Sequence, residues 1–144
     1  MASSDLSPEA ARQLLTGLRN ALMKVHKTLL DSEQARYDHD VQRIESRGQL
    51  LNLVLHDPWF AWLHELSELI VLIDETLDAD EPATAADATR LLAQARTLLM
   101  PAESADGFRR QYYHALQRDP DVVIAHGAAM TLLGSLGQSL IPPQ

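Results

Sequence analysis

The sequence predicts an all-α protein, an up-down helical bundle of four to five helices with a long N-terminal helix. Three observations predict it. The apolar residues are mostly Leu and Ala, strong helix formers, while β-branched residues are sparse. Leucines recur at spacings of three and four along most of the chain. Ser7-Pro8, Asp57-Pro58 and Asp119-Pro120 each place a capping oxygen before a proline. Proline suits the first helical position, where its missing N–H has no intrahelical partner, and the Ser or Asp oxygen accepts from a free backbone N–H.

The first helix starts at Pro8 on the stripe Ala11, Leu14, Leu15, Leu18, Leu22, Val25 and Leu29. Nothing between Asp31 and Asp40 breaks a helix, and Tyr37, Val41 and Ile44 extend a thin stripe to about Arg47. Gly48 reads as a left-handed stop. A break near Asp31, with Asp31 and Gln34 as a capping pair, is the alternative to one long or slightly kinked helix. Gln49 to His56 reads as a short apolar helical turn.

The second long helix runs from Pro58 to about Asp78 on Trp59, Trp62, Leu63, Leu66, Leu69, Ile70, Ile73 and Leu77. Val71 and Leu72 make Leu69–Ile73 apolar all round. Such a segment is expected to be buried on every side, either centrally or by another subunit. After a loop at Asp80–Ala83, Thr84 and Asp87 form a capping box with the shorter acid. The next helix continues to Met100, and Pro101 ends it. Another is expected from about Ser104 to Arg118, with Phe108, Tyr112, Ala115 and Leu116 inward, and a last one from Pro120 to about Leu136.

The 144 residues suit a single domain over 1–144, with 1–7 and 137–144 read as flexible. At this size folding buries roughly 68–70% of the unfolded chain's surface, so no disulfide or metal staple is required. There is no cysteine, which excludes disulfides, thiolate zinc sites and a cysteine nucleophile. Met1–Ser7 lacks a basic and an apolar leader region, so a cytoplasmic location is expected. The net charge of −8 disfavours broad contact with nucleic acid or anionic lipid.

From Val122 onward there is no Asp, Glu, Lys or Arg. A membrane span needs about 20 predominantly apolar residues. Here His126, Gly127, Thr131, Gly134, Ser135 and Gln138 interrupt the run, so a buried or interface-lining helix is expected and no membrane contact.

Histidines are the first candidates for chemistry. His64 and Glu68 stand four apart on one helical face and could hold one metal, joined by His26, His114 or His126 from other helices. The Glu-x-x-His pairs of di-iron bundles and the H-E-x-x-H zinc motif are absent. A His–Glu surface pair is the plain alternative. His126 stands out in a nearly uncharged helix, where it needs a hydrogen-bond partner or water.

Trp59, Phe60 and Trp62 form the one dense aromatic cluster. On an α-helix Phe60 points about 100° away from Trp59, which makes it a candidate partner anchor. Arg109, Arg110, Tyr112, Tyr113, His114 and Arg118 make a local basic-aromatic patch of a kind that single-stranded nucleic acid can use. Gly134-Ser135-Leu136-Gly137 is not a nucleophile elbow, and no phosphate-binding loop is present.

The segments Leu50–Leu63 (LLNLVLHDPWFAWL) and Ser67–Glu75 (SELIVLIDE) resemble a set of small bacterial proteins carried as hypothetical. Phe108–Arg110 and Arg118–Val123 share in that resemblance, which implies a bacterial source and no mechanism.

The residues therefore lead to a non-enzymatic bundle that acts by protein–protein contact as a homodimer, through excess apolar surface on the helices around Leu72 and Met130. No catalytic residue and no cofactor is expected. The alternatives are a divalent transition metal on His64, Glu68 and further histidines, and weak nucleic-acid binding through the helix that carries Arg109 and Arg110.

Overall fold

Ser7 Oγ accepts from Ala10 N at 3.1 Å, and Pro8 opens a 33-residue helix, α1 (Pro8–Asp40). The computed structural model, which describes residues 6–140, continues with α2 (Arg47–His56), a 3-10 segment (Pro58–Leu63) and α3 (His64–Asp78). Then come α4 (Ala85–Leu98), α5 (Gly107–Arg118) and α6 (Pro120–Ser139). Among the described residues there is no strand, and no helix is long and apolar enough to cross a membrane.

The all-α class holds, with six α-helices in place of four to five. The added helix is α2, ten residues long where a short helical turn was expected, and α1 ends at Asp40 rather than near Arg47, with residues 41–46 between them. Tyr37 O accepts from both Val41 N and Gln42 N, which closes α1, and Asp38 Oδ1 accepts from Ile44 N at 2.7 Å. Ser46 Oγ then caps Gln49 N, while Gln49 Oε1 accepts from Glu45 N. These side chains satisfy backbone donors that a continued helix would have bonded internally. Gly48 is not the expected left-handed stop: it lies within α2, and the one positive-φ residue described is Gly107. Near Asp31 α1 is unbroken.

The second correction concerns Pro58–Leu63. A 3-10 helix has three residues per turn, so positions three apart eclipse. Phe60 and Leu63 therefore share the inward face and are fully buried. Trp59 and Trp62 share the neighbouring face and are half-buried. An α-helical wheel reverses this order and wrongly turns Phe60 toward solvent.

Asp57 Oδ1 caps Trp59 N at 2.8 Å, and Asp119 Oδ1 caps Asp121 N at 2.9 Å. Thr84 and Asp87 form the reciprocal box ahead of α4, whose backbone hydrogen bond holds the Asp87 carboxyl below its usual range. The start of α5 is supplied from outside. Asp106 makes no cap bond, and Glu65 Oε1 of α3 accepts from Phe108 N at 3.0 Å. A Cβ on Gly107, at φ +64, would stand 2.6 Å from that same carboxylate oxygen. The Ser104 start is thus moved to Gly107.

Helix α1 is the axis of the molecule and packs against α3, α4, α6 and the 3-10 segment. Its leucine stripe meets Leu66, Ile70 and Ile73 of α3, Leu91 and Leu92 of α4, and Phe108 and Tyr112 of α5 in one core cluster. Glu33 is buried in this frame, where it pairs with Arg118 and with Arg36 at 2.8 Å. That ion pair ties the end of α5 to α1.

Helix α2, which packs against the 3-10 segment, has no buried residue. Of the ends expected to be flexible, residues 1–5 and 141–144 lie outside the described residues. Leu6 packs on the core, Ser7 caps α1 and 137–139 belong to α6.

Candidate contact surface

Helix α6 is fixed at three points. Asp119 and Pro120 start it. Near its middle, Tyr112 Oη lies 2.7 Å from His126 Nδ1. Burial pushes the Tyr112 phenol up, so it stays protonated and donates, and burial lowers His126, which accepts as the neutral ring. In its second half, Arg96 Nη2 of α4 donates to Leu133 O at 3.0 Å, with the guanidinium lying beside Gly137 in the last turn. A Cβ on Gly137 would stand 2.2 Å from that nitrogen, so the glycine lets the guanidinium through.

These anchors hold one face of α6 and leave the other bare. Val122, Ala129 and Leu133 are buried, while Val123, Ile124, Gly127, Ala128, Thr131 and Leu132 are exposed. Ile124 reaches 70% exposure. A helix with no charge from Val122 to Ser139 therefore presents much of its surface to water. Burial of the whole helix, the expectation for so apolar a segment, is not met within the chain.

Along its exposed edge α6 lies beside α1 in antiparallel fashion. Leu136 Cδ2 stands 3.7 Å from the Cβ position of Gly17, and Arg118, just before α6, pairs with Glu33. Between the two helices runs an open groove of about 670 Å³. Ile124, Ala128 and Leu132 form its α6 side at four-residue spacing, and Lys24 and Lys27 rise from its α1 side beside Ala21. Asp31, Asp119 and Asp121 stand at the end where α6 begins. Lys27 reaches Asp31 at 2.9 Å, whereas Lys24 makes no ion pair among the described residues.

A second exposed apolar face lies on α3. Leu69, Ile70 and Ile73 are buried, but Val71 is 54% and Leu72 38% exposed. The segment expected to be buried on every side is therefore buried on one. Glu68 and Glu75 flank the exposed pair and make no ion pair among the described residues.

The structure brings His26 and His64 near each other, but each has a hydrogen-bond partner of its own. His26 Nε2 meets Ser67 Oγ at 2.9 Å, and burial, with His64 nearby, lowers its pKa. His64 Nε2 meets Val54 O at 3.1 Å, which ties α2 to α3. His114 lies against Tyr113 with ring centroids 5.6 Å apart. Glu68 lines a shallow surface depression with Glu65, Leu72 and Gln94. Among the described residues no three His, Asp or Glu side chains form a group that could hold a metal ion.

The other candidates are placed as follows. Phe60 is in the core against Tyr37, with ring centroids 5.7 Å apart. Met130 is half-buried against the core. In the basic-aromatic patch, Tyr112 is buried, Arg109 Nε donates to Met100 O at 2.7 Å, and Arg118 binds Glu33. Arg110 remains exposed.

The groove itself escaped the sequence reading. Its two walls come from residues about a hundred positions apart, and Lys24 and Lys27 look like any solvated face. Comparison with protein-family models, curated proteins and solved structures finds no match.

Proposed function

We propose that the chain is a non-enzymatic contact module that works in the cytoplasm by pairing with a second copy of itself through α6 and the groove beside it. One observation carries the reading. Helix α6, uncharged from Val122 onward, is capped at its start and bonded to other helices at His126 and Leu133, yet Val123, Ile124, Gly127, Ala128 and Leu132 remain exposed. An uncovered apolar stripe of this kind marks an interaction site on a soluble chain. Among the described residues every buried side-chain nitrogen or oxygen has a hydrogen-bond partner. The resemblance of Leu50–Leu63 and Ser67–Glu75 to small bacterial proteins makes a bacterial source part of the same reading.

Ile124→Glu tests it, because this side chain is largely outside the core and its replacement leaves the bundle intact. Wild-type protein is expected to associate in sedimentation experiments at micromolar concentration, and the variant to stay monomeric with an unchanged helical spectrum. A wild type that stays monomeric, or a variant that associates equally well, contradicts the proposal.

A further inference from the structure

We propose that the acidic-apolar face of α3 is what seats in the α1–α6 groove of the second copy. This rests on the reading of α6 as a self-contact surface and names the face that meets it. Glu68, Val71, Leu72 and Glu75 stand at i, i+3, i+4 and i+7, the spacing with which one helix face enters a groove. The stripe spans about 10 Å, and Ile124–Ala128–Leu132 spans about 12 Å, at 1.5 Å per residue. Ala21 and Ala128 keep the groove shallow enough for a helix to lie close to both walls.

Charge selects the partner. The chain carries a net −8, so most surfaces of two copies repel. The groove divides its charge: Lys24, which makes no ion pair among the described residues, and Lys27, paired with exposed Asp31, make the α1 wall basic, while Asp31, Asp119 and Asp121 keep the end where α6 begins acidic. Glu68 and Glu75, which make no ion pair among the described residues, stand beside the exposed apolar pair Val71 and Leu72 of α3. With α3 running in the same direction as α6, both glutamates meet the lysine wall. His64, one turn before Glu68, then falls at the acidic end formed by Asp31, Asp119 and Asp121.

The symmetric alternative, α6 against α6, is electrostatically worse. The antiparallel contacts of Gly17 with Leu136 and of Glu33 with Arg118 place Lys24 level with Ala128. A twofold axis there would bring two unpaired lysines together, and like charges facing each other across an interface oppose it.

The test uses two charge-reversed proteins, Lys24→Glu with Lys27→Glu, and Glu68→Lys with Glu75→Lys. All four positions are on the surface, and circular dichroism checks that the bundle is kept. Each variant alone is expected to self-associate at least about tenfold more weakly than wild type. An equimolar mixture is expected to recover association as a complex containing both variants, because the reversed charges face each other again. The proposal is overturned if either variant associates like wild type, or if the mixture remains as weak as its components. Loss with the lysine pair but not the glutamate pair overturns it while leaving the groove as the contact surface. A monomeric wild type overturns both this proposal and the function it rests on.

Discussion

Replacing Phe60 by alanine probes the element in which an α-helical reading and the structure disagree most. The ring is fully buried where the 3-10 segment meets α1, in contact with Tyr37. Losing it removes about 2–3 kcal/mol of transfer free energy. A residual cavity near 80 Å³ adds about 2 kcal/mol at roughly 24 cal/mol per Å³. The sum, about 4 kcal/mol, falls within the usual range for Phe→Ala in a core. For a chain of this length it corresponds to a fall in Tm of roughly 10–15 °C. Urea unfolding followed by circular dichroism measures it directly. If Pro58–Leu63 were α-helical with Phe60 outward, the change would lie within about 0.5 kcal/mol. A loss below about 1 kcal/mol refutes the 3-10 register.

Two further predictions concern charge. His26 and His126 are both lowered by burial, His26 also by His64, so their folded pKa values lie below the unfolded value of 6.5. The unfolded chain then takes up more protons as pH drops below about 6.5, and stability declines from there toward the folded values. The urea midpoint should be lower at about pH 5.5 than at 7.5, and the double variant His26→Asn, His126→Gln should flatten that difference. His39 acts in the opposite sense, since its hydrogen bond to Asp40 raises it, but it is fully exposed. An unchanged slope in the double variant counts against burial as the cause. Glu33→Ala leaves Arg118 and Arg36 without their shared carboxylate and should cost about 2–3 kcal/mol in the same urea assay. The figure sits below the fully buried case because both arginines reach solvent. A cost under about 0.5 kcal/mol would show the pair to be idle.

The legible parts of the fold are those fixed by local chemistry. Ser7, Asp57, Thr84 and Asp119 cap as their neighbours require, because an N-cap depends on a side chain and a backbone N–H two or three residues away. The leucine stripe of α1 needed only the helical period. Two errors also had local signals. Ser46 and Gln49 have the spacing of a capping box, which announces a new helix where Gly48 suggested a stop. Phe60 and Leu63 are three apart just after a capped proline, a spacing that a tight first turn would bury together.

The remaining differences lay beyond local reach. The cap of α5 comes from Glu65, forty-three positions away. Arg96 passes over Gly137 to Leu133 of α6 from a distant helix. The exposure of α6 depends on how many neighbours surround it, and an apolar sequence cannot report a missing one. The same holds for the histidines. Each was a plausible ligand by type, but His26, His64 and His126 turn to Ser67, Val54 and Tyr112 respectively.

Amide hydrogen exchange at low and high protein concentration tests the central claim most directly. Self-contact through α6 predicts that protection over Val123–Leu132 and over the Lys24–Lys27 turn of α1 rises with concentration. Exchange at α2, which presents Leu51 and Leu55 but has no part in the contact, should not change. Concentration-independent exchange along α6, or a gain confined to α2, would contradict the account.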